Sequence, residues 1–152
     1  MNLNTPLLIF AYLVASLSLL AADYRPGKEA QRQEGVSQGK VHQHTWEECK
    51  AYPGTTRSFW VYVPHGHDRK TPANLICFQD GGGFVRENGH TRVPIVLDNL
   101  IAKGEIPPTV AIFVNPGAVP GSEPPYQPRR NRAYEYDTVS ADYANFLIDE
   151  II

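Results

Sequence analysis

The chain has 152 residues, 42% of them hydrophobic and 20% charged, which is one domain's worth of ordinary globular sequence and excludes a disordered polymer. Fourteen Lys and Arg face sixteen Asp and Glu, for a net charge of −2, with both signs spread along the chain. That balance excludes a nucleic-acid footprint and a polybasic membrane patch.

The first predicted segment is an export signal. Residues 7–20 are apolar apart from Ser16 and Ser18, Ala21-Ala22 follow, and the first charge of the chain is Asp23. An apolar run with a small-residue exit is the pattern of a cleaved secretory signal peptide, here residues 1–22. The run is shorter than the roughly 20 residues a spanning helix needs, and no Cys follows it to carry a lipid. The expectation is a secreted or periplasmic protein with no stable membrane anchor after cleavage. Residues 23–40 hold Gln, Arg, Glu and Gly and almost no large apolar side chain, so they read as an exposed polar leader. The folded part is then 41–152.

Residues 41–49 alternate loosely and predict a first strand. Tyr52-Pro53-Gly54-Thr55 is a turn with Pro-Gly at its centre. Residues 57–64 are rich in aromatic and β-branched side chains and predict a second strand, ended by Pro64. Together they read as an antiparallel pair at a sheet edge. Leu75-Ile76-Cys77-Phe78 has no polar alternation, the pattern of a strand buried on both faces. It stops at Asp80 and three glycines, Gly81-Gly82-Gly83. After a polar loop over 86–92, a helix begins at Val93 with Pro94 in its first turn, where the missing N–H costs little. Val93, Val96, Leu97, Leu100 and Ile101 share one face at helical spacing, and Gly104 supplies the stop. Residues 109–115 form a second uninterrupted apolar strand, closed by Pro116-Gly117. Strand, glycine turn, helix and strand in that order make a βαβ unit with parallel strands.

Residues 117–132 read as a long Pro-rich loop. A last helix is predicted from Asp137 or Ser140 to Ile152, capped by either residue, with Val139, Tyr143, Phe146, Leu147 and Ile151 facing the core. The sequence stops in the apolar Ile148-Asp149-Glu150-Ile151-Ile152. Two strands of buried type with one edge pair beside them predict the N-terminal part of a longer protein.

Asp80-Gly81-Gly82-Gly83 is the strongest site candidate, because glycine lets backbone bend sharply or approach a ligand closely. A plain tight turn has the same composition. The glycines are consecutive rather than spaced G-x-G-x-x-G, which disfavours a dinucleotide, and no helix is expected to start on them. No cofactor is expected. His42-Gln43-His44 and His65-Gly66-His67 have ligand-like spacing, but neither has the third and fourth ligand a zinc site needs, so no metal is expected. Cys49 and Cys77 are the two cysteines. Cys77 lies within the apolar strand and reads as a small hydrophobe rather than half of a Cys49–Cys77 bridge. Trp46, Phe59, Trp60 and Tyr62 read as core or edge cover, with sugar stacking as the alternative.

Phe59-Trp60-Val61-Tyr62-Val63-Pro64, Phe78-Gln79-Asp80-Gly81-Gly82-Gly83, Val93-Pro94 with Leu97-Asp98-Asn99-Leu100-Ile101, Phe113-Val114-Asn115-Pro116-Gly117 and Asn131-Arg132-Ala133-Tyr134-Glu135-Tyr136-Asp137 follow in that order. In this order and spacing the chain resembles the putative-esterase family, which includes enterochelin esterases, esterase D, feruloyl esterases and mycolyltransferases. The resemblance implies an α/β fold, the N-terminal part of an α/β-hydrolase sandwich in which edge antiparallel strands precede a βαβ unit and a helix. It also implies acyl transfer to water by a Ser-His-Asp/Glu triad. It places an oxyanion-hole N–H near Gly82, with Gly81 shaping the turn. It makes Asp80, Arg86, Arg132 and Glu135 substrate-contact candidates, with Glu87 and His90 near the mouth. Arg132 and Glu135 could alternatively hold the long loop as a charged pair.

One departure is large. The family's nucleophile sits in a G-x-S-x-G elbow, and none of Ser16, Ser18, Ser37, Ser58, Ser122 or Ser140 lies in one. No catalytic residue is assigned within the chain. The expected function is an exported carboxylic-ester hydrolase acting on a small-molecule or carbohydrate ester, of which these residues alone give no turnover. The alternative is an exported non-catalytic module that binds carbohydrate or protein, or a pseudo-esterase.

Overall fold

The computed structural model describes residues 25–68, 70–119 and 127–152, with the side chains of 127–130 excepted. The expected signal peptide over 1–22 and part of the Pro-rich loop, 120–126, lie outside the described residues. Four strands form one mixed sheet in the order β1-β2-β4-β3. β1 (Lys40–Trp46) and β2 (Arg57–Val63) are antiparallel, with Lys40 opposite Val63 and Trp46 opposite Arg57. β4 (Thr109–Val114) runs antiparallel to β2 and parallel to β3 (Asn74–Gln79), with Gln79 opposite Val114. A single helical turn, α1 (Gly81–Phe84), and the longer α2 (Val93–Ala102) connect β3 to β4. This is the expected βαβ unit.

β4 explains why its sequence does not alternate. Successive side chains of a strand point to opposite faces. Ala111 and Phe113 pack with Tyr62 and Leu97 on the α2 side. Ile112 and Val114 pack with Cys49, Tyr52 and Phe146 on the other. Both faces are covered, so both sets are apolar.

β3 carries the same kind of sequence and has a different place. It is the edge strand: among the described residues only β4 pairs with it. Leu75 is 47% and Ile76 39% exposed, and Cys77 is exposed as well. The expectation that β3 is buried on both faces, with Cys77 as a core hydrophobe, is therefore corrected. Phe78 alone turns inward, stacked on Phe113 at 5.1 Å between ring centroids. Cys49 and Cys77 are both free thiols, and burial pushes the Cys49 thiol above its usual value.

The polar leader is mostly exposed but is held on the fold. Residues 28–30 form a 3₁₀ turn with Ala30 buried, strapped to α2. The Asn99 amide donates to the carbonyls of Glu29 at 2.8 Å and Gln31 at 2.9 Å. The Asp98 carboxylate accepts from Arg32 at 2.7 Å, from the Gly39 N–H at 2.8 Å and from the Tyr62 hydroxyl at 2.7 Å. Burial, then Asp98, pushes the Tyr62 phenol far above its usual value. α2 thus lies between sheet and leader, and Pro94, Ile95, Leu97, Asp98 and Asn99 are its buried residues. The expected single apolar face missed the polar contact on its other side.

The C-terminal region differs from expectation in three places. Residues 127–132, read as loop, open α3 (Gln127–Tyr136). The last helix starts later, as α4 (Asp142–Phe146), and continues as a π-helical turn over Leu147–Ile151. Val139 is fully exposed, whereas Tyr143, Phe146, Leu147 and Ile151 do pack on the core. Neither Asp137 nor Ser140 is the cap of α4: Ala141 stands there without a side-chain bond, and Ser140, one residue earlier, accepts the Asp142 N–H on its Oγ at 3.2 Å.

Glu150 ties this end back to the β1–β2 connection. Its carboxylate accepts from the Trp46 indole at 3.1 Å and from the N–H groups of Lys50 at 2.9 Å and Ala51 at 2.8 Å. Burial by itself would raise its pKa, but these donors outweigh burial and hold the carboxyl below the usual glutamate range. A carboxyl depressed in the folded state stabilises above its unfolded value and loses that contribution as pH falls through the folded one. We expect Glu150→Ala to lower the melting temperature at neutral pH, and the gap from wild type to close as pH drops below the ordinary glutamate range. Thermal unfolding followed by circular dichroism from neutral pH down to well below the ordinary glutamate range measures it.

Candidate functional site

Parallel strands bring their carboxyl ends to one side of a sheet, where open α/β folds place ligands. Here β3 ends at Gln79 and its partner β4 at Val114. The chain leaves β3 through Asp80, whose backbone is left-handed at φ 54°. Aspartate tolerates that region better than most side-chain-bearing residues. This reversal starts α1 directly on Gly81, so the expectation that no helix begins on the glycines is corrected. Gly81 lies against the backbone of β4: a Cβ there would sit 2.3 Å from the Phe113 carbonyl carbon. Gly82 donates its N–H to Asn115 Oδ1 at 2.8 Å. Gly83 donates to the Asp80 carbonyl at 2.9 Å and is open on its Cα side.

Arg132 of α3 closes over this turn. Its Nε contacts Asp80 Oδ1 at 2.8 Å and Oδ2 at 3.0 Å, and its Nη2 contacts Oδ2 at 2.5 Å. The guanidinium also lies 5.1 Å from the Tyr136 ring centroid, and the Tyr136 hydroxyl accepts the Asp80 N–H at 3.4 Å. Asp80 stabilises the charged guanidinium and raises its pKa further. Burial, the largest influence, raises that of the Tyr136 phenol. Beside the turn an open cleft of about 520 Å³ is walled by Cys77, Phe78, Gln79, Asp80 and Phe84 on one side and Tyr143, Ala144 and Leu147 of the last helix on the other.

The structure brings Asp80, Gly81, Gly82 and Arg132 together. It separates Arg132 from Glu135, so the alternative of a charged pair between the two is corrected. Glu135 is 2% exposed and pairs with Arg57, Nη1 to Oε2 at 2.8 Å and Nη2 to Oε1 at 3.1 Å, both side chains fully buried. It also accepts the Gly117 N–H at 3.1 Å and a bond from Asn131. Its place is therefore structural rather than facing the cleft. Arg86 is exposed on the loop after α1, outside the cleft walls, and Glu87 pairs with Arg32 of the leader. His42, His65 and His67 border one small cleft with Lys40, but among the described residues no group of three His, Cys, Asp or Glu converges to hold a metal.

Two residues at the centre of this region were not singled out from the sequence. Arg57 was visible as the one charge in the strand Arg57-Ser58-Phe59-Trp60-Val61-Tyr62-Val63. Asn115 ends an apolar strand, a position where a polar side chain has a backbone to serve.

Comparison with known proteins shows the family and the fold. Residues 51–152 match the model of a family described as putative esterase. No curated protein matches the chain. Among solved structures it is similar to the CE1 ferulic acid esterase AmCE1/Fae1A from Anaeromyces mucronatus in complex with ferulic acid, at 19% identity and a TM-score of 0.56, over 84% of this chain and 46% of that one. The same fungal enzyme without substrate gives a TM-score of 0.52 at 19% identity, over the same shares. A feruloyl esterase module from Clostridium thermocellum complexed with sinapinate gives 0.47 at 22% identity, over 62% of this chain and 33% of that one. The chain thus spans less than half the length of each of these structures. What it shares with the fungal enzyme is the fold, and the mixed α/β architecture is the one expected of part of an α/β hydrolase.

Gly81→Ala forces a methyl into the β4 backbone and is expected to cost about 3 kcal/mol, the upper end of ordinary overpacking. Gly83→Ala meets open space and should be neutral or stabilising by up to about 1 kcal/mol. Urea denaturation of the two variants compares them directly. Glu135→Gln leaves the Arg57 charge buried without its counter-charge and should cost about 3–5 kcal/mol, while the Arg57→Met/Glu135→Leu double variant should cost less than the single one.

Proposed function

We propose a function from one premise: the chain belongs to the putative-esterase family. On this reading it supplies the oxyanion side of a carboxylic-ester hydrolase. The observation that carries the reading is the glycine turn. Gly81 lies flat on β4, which brings the peptide planes of the turn to the carboxyl ends of two parallel strands, and the Gly82 N–H points at a carbonyl-type oxygen 2.8 Å away. A backbone N–H so held is what a tetrahedral acyl-transfer intermediate needs, and one such donor stabilises the transition state by about 2.7–4 kcal/mol. The cleft walled by Asp80 and Phe84 beside the glycines is where the acyl group of a small-molecule or carbohydrate ester would lie. The Asp80–Arg132 pair is the polar contact at its rim.

The same reading makes residues 1–152 inactive alone. Ser58 lies within β2 and Ser140 holds the start of α4, so neither is placed as a nucleophile beside the glycines. The serine is assigned to a G-x-S-x-G elbow, a motif these residues do not contain. Export follows from the apolar run ahead of Ala21-Ala22, with cleavage near Asp23 and a secreted or periplasmic destination. N-terminal sequencing of the mature protein should begin at or close to Asp23.

Fluorophosphonate labelling of the polypeptide as its source produces it tests the enzyme reading, alongside the 152-residue chain. Hydrolysis of p-nitrophenyl acetate and methyl ferulate, with label on a serine outside residues 1–152, is the expected result. The 152-residue chain should show neither. If the polypeptide from the source ends at Ile152 and is neither labelled nor active, the hydrolase reading fails and the non-catalytic binding module replaces it.

A further inference from the structure

The Gly82 N–H is already in use. It donates to Asn115 Oδ1 at 2.8 Å, a normal hydrogen-bond length. Asn115 is held in turn, because its own N–H donates to the Ser58 carbonyl of β2 at 3.2 Å. A Cβ on Gly82 would meet the Asn115 amide at 3.2 Å and 3.4 Å and the Trp60 ring at 3.5 Å, so amide and peptide are in close contact. The side-chain oxygen of asparagine is a neutral sp² acceptor, the same chemical type as the carbonyl oxygen of an ester.

We propose that Asn115 is the positioning residue of the glycine turn: its Oδ1 occupies the place of the substrate carbonyl oxygen, keeps the Gly82 N–H aimed there, and yields it to the oxyanion. The purpose of this device rests on the esterase reading; the hydrogen bond itself does not. Three consecutive glycines have no Cβ to fix the orientation of their peptide planes. The contact of Gly81 with β4 and the Gly83–Asp80 bond place the turn, and an internal acceptor fixes the last freedom of the Gly82 donor. With Asn115 in place the donor is oriented beforehand, and only the Asn115 side chain has to move.

The device also sorts ground state from transition state. A neutral ester carbonyl that displaces Oδ1 exchanges one neutral hydrogen bond for another and gains little. A tetrahedral oxyanion makes a charge-assisted bond, about twice as strong. Only the charged species therefore gains by displacing Asn115, and binding that strengthens only in the transition state is the kind that raises the rate. An aspartate at this position would defeat the arrangement, because its carboxylate would compete with the oxyanion on equal terms.

The test reads the Gly82 amide directly and needs no turnover. Glycine-selective ¹⁵N labelling of the 152-residue chain resolves the Gly82 resonance. In Asn115→Asp the Gly82 amide proton is expected to move downfield as the new carboxyl ionises, giving a sigmoidal titration that wild type lacks. In Asn115→Ala its hydrogen exchange should accelerate about tenfold or more, while Gly83, bonded to the Asp80 carbonyl, keeps its protection. A Gly82 amide that does not titrate in Asn115→Asp overturns the proposal. So does unchanged Gly82 exchange in a folded Asn115→Ala variant. If Asn115→Ala unfolds, the aspartate titration decides alone. Loss of the esterase reading would appear only in the labelling experiment, so the two failures are distinguishable.

Discussion

A guanidinium removed from water needs a counter-charge, and Arg57 finds its own 78 residues away in Glu135. Breaking such a pair is strongly destabilising because the remaining charge stays buried. Here the pair is also where the elements meet. Arg57 comes from β2 and Glu135 from α3. Thr55 and Cys49 approach from the turn before β2, at 3.2 Å and 3.6 Å from the guanidinium. Phe146 of α4 lies under it at 4.2 Å. Gly117 donates its N–H to the carboxylate, and a Cβ there would come within 2.8 Å of Glu135 and of Thr55, so no other residue fits without displacing the pair.

The glycine turn depends on this arrangement indirectly. Arg132 and Tyr136, which contact Asp80, stand on the same helix as Glu135. Fixing Glu135 to β2 fixes the angle at which α3 crosses the ends of β3 and β4. The left-handed backbone of Asp80 is then held from outside by Arg132 and Tyr136, and from beneath by Gly81 against β4. On the opposite face of the sheet, Asp98 does a similar job. It joins α2, β2 and the leader through Tyr62, Gly39 and Arg32. Glu135 on one face of the sheet and Asp98 on the other thus each gather several donors, and the candidate site lies at the strand ends between them.

Much of the fold was legible in the sequence because its signals are local. The βαβ unit declared itself through two apolar runs around a helix opened by Pro94 and stopped by Gly104. The antiparallel pair was announced by the turn at Pro53-Gly54. The misreading of β3 has a physical origin. Leu75-Ile76-Cys77-Phe78 and Ala111-Ile112-Phe113-Val114 are equally apolar, yet one is an edge strand and the other a central one. An apolar side chain carries no mark of which neighbour will cover it. The leader's hold on α2 was hidden for the converse reason: its contacts to α2 run through backbone carbonyls and polar side chains, which look like solvent-exposed composition until Asp98 and Asn99 are found opposite them.

At the site, the sequence by itself determined the glycines, the acid before them and the strand that delivers them, because a run of glycines is a local statement about backbone space. It also determined which nucleophile motif residues 1–152 lack. Only the tertiary structure decided partners. It gave Asp80 to Arg132, Glu135 to Arg57 and the Gly82 N–H to Asn115, pairs separated by 52, 78 and 33 residues. Charges and amides are unselective over such distances along a chain. They acquire a specific partner only when packing removes water and leaves one donor or acceptor within reach.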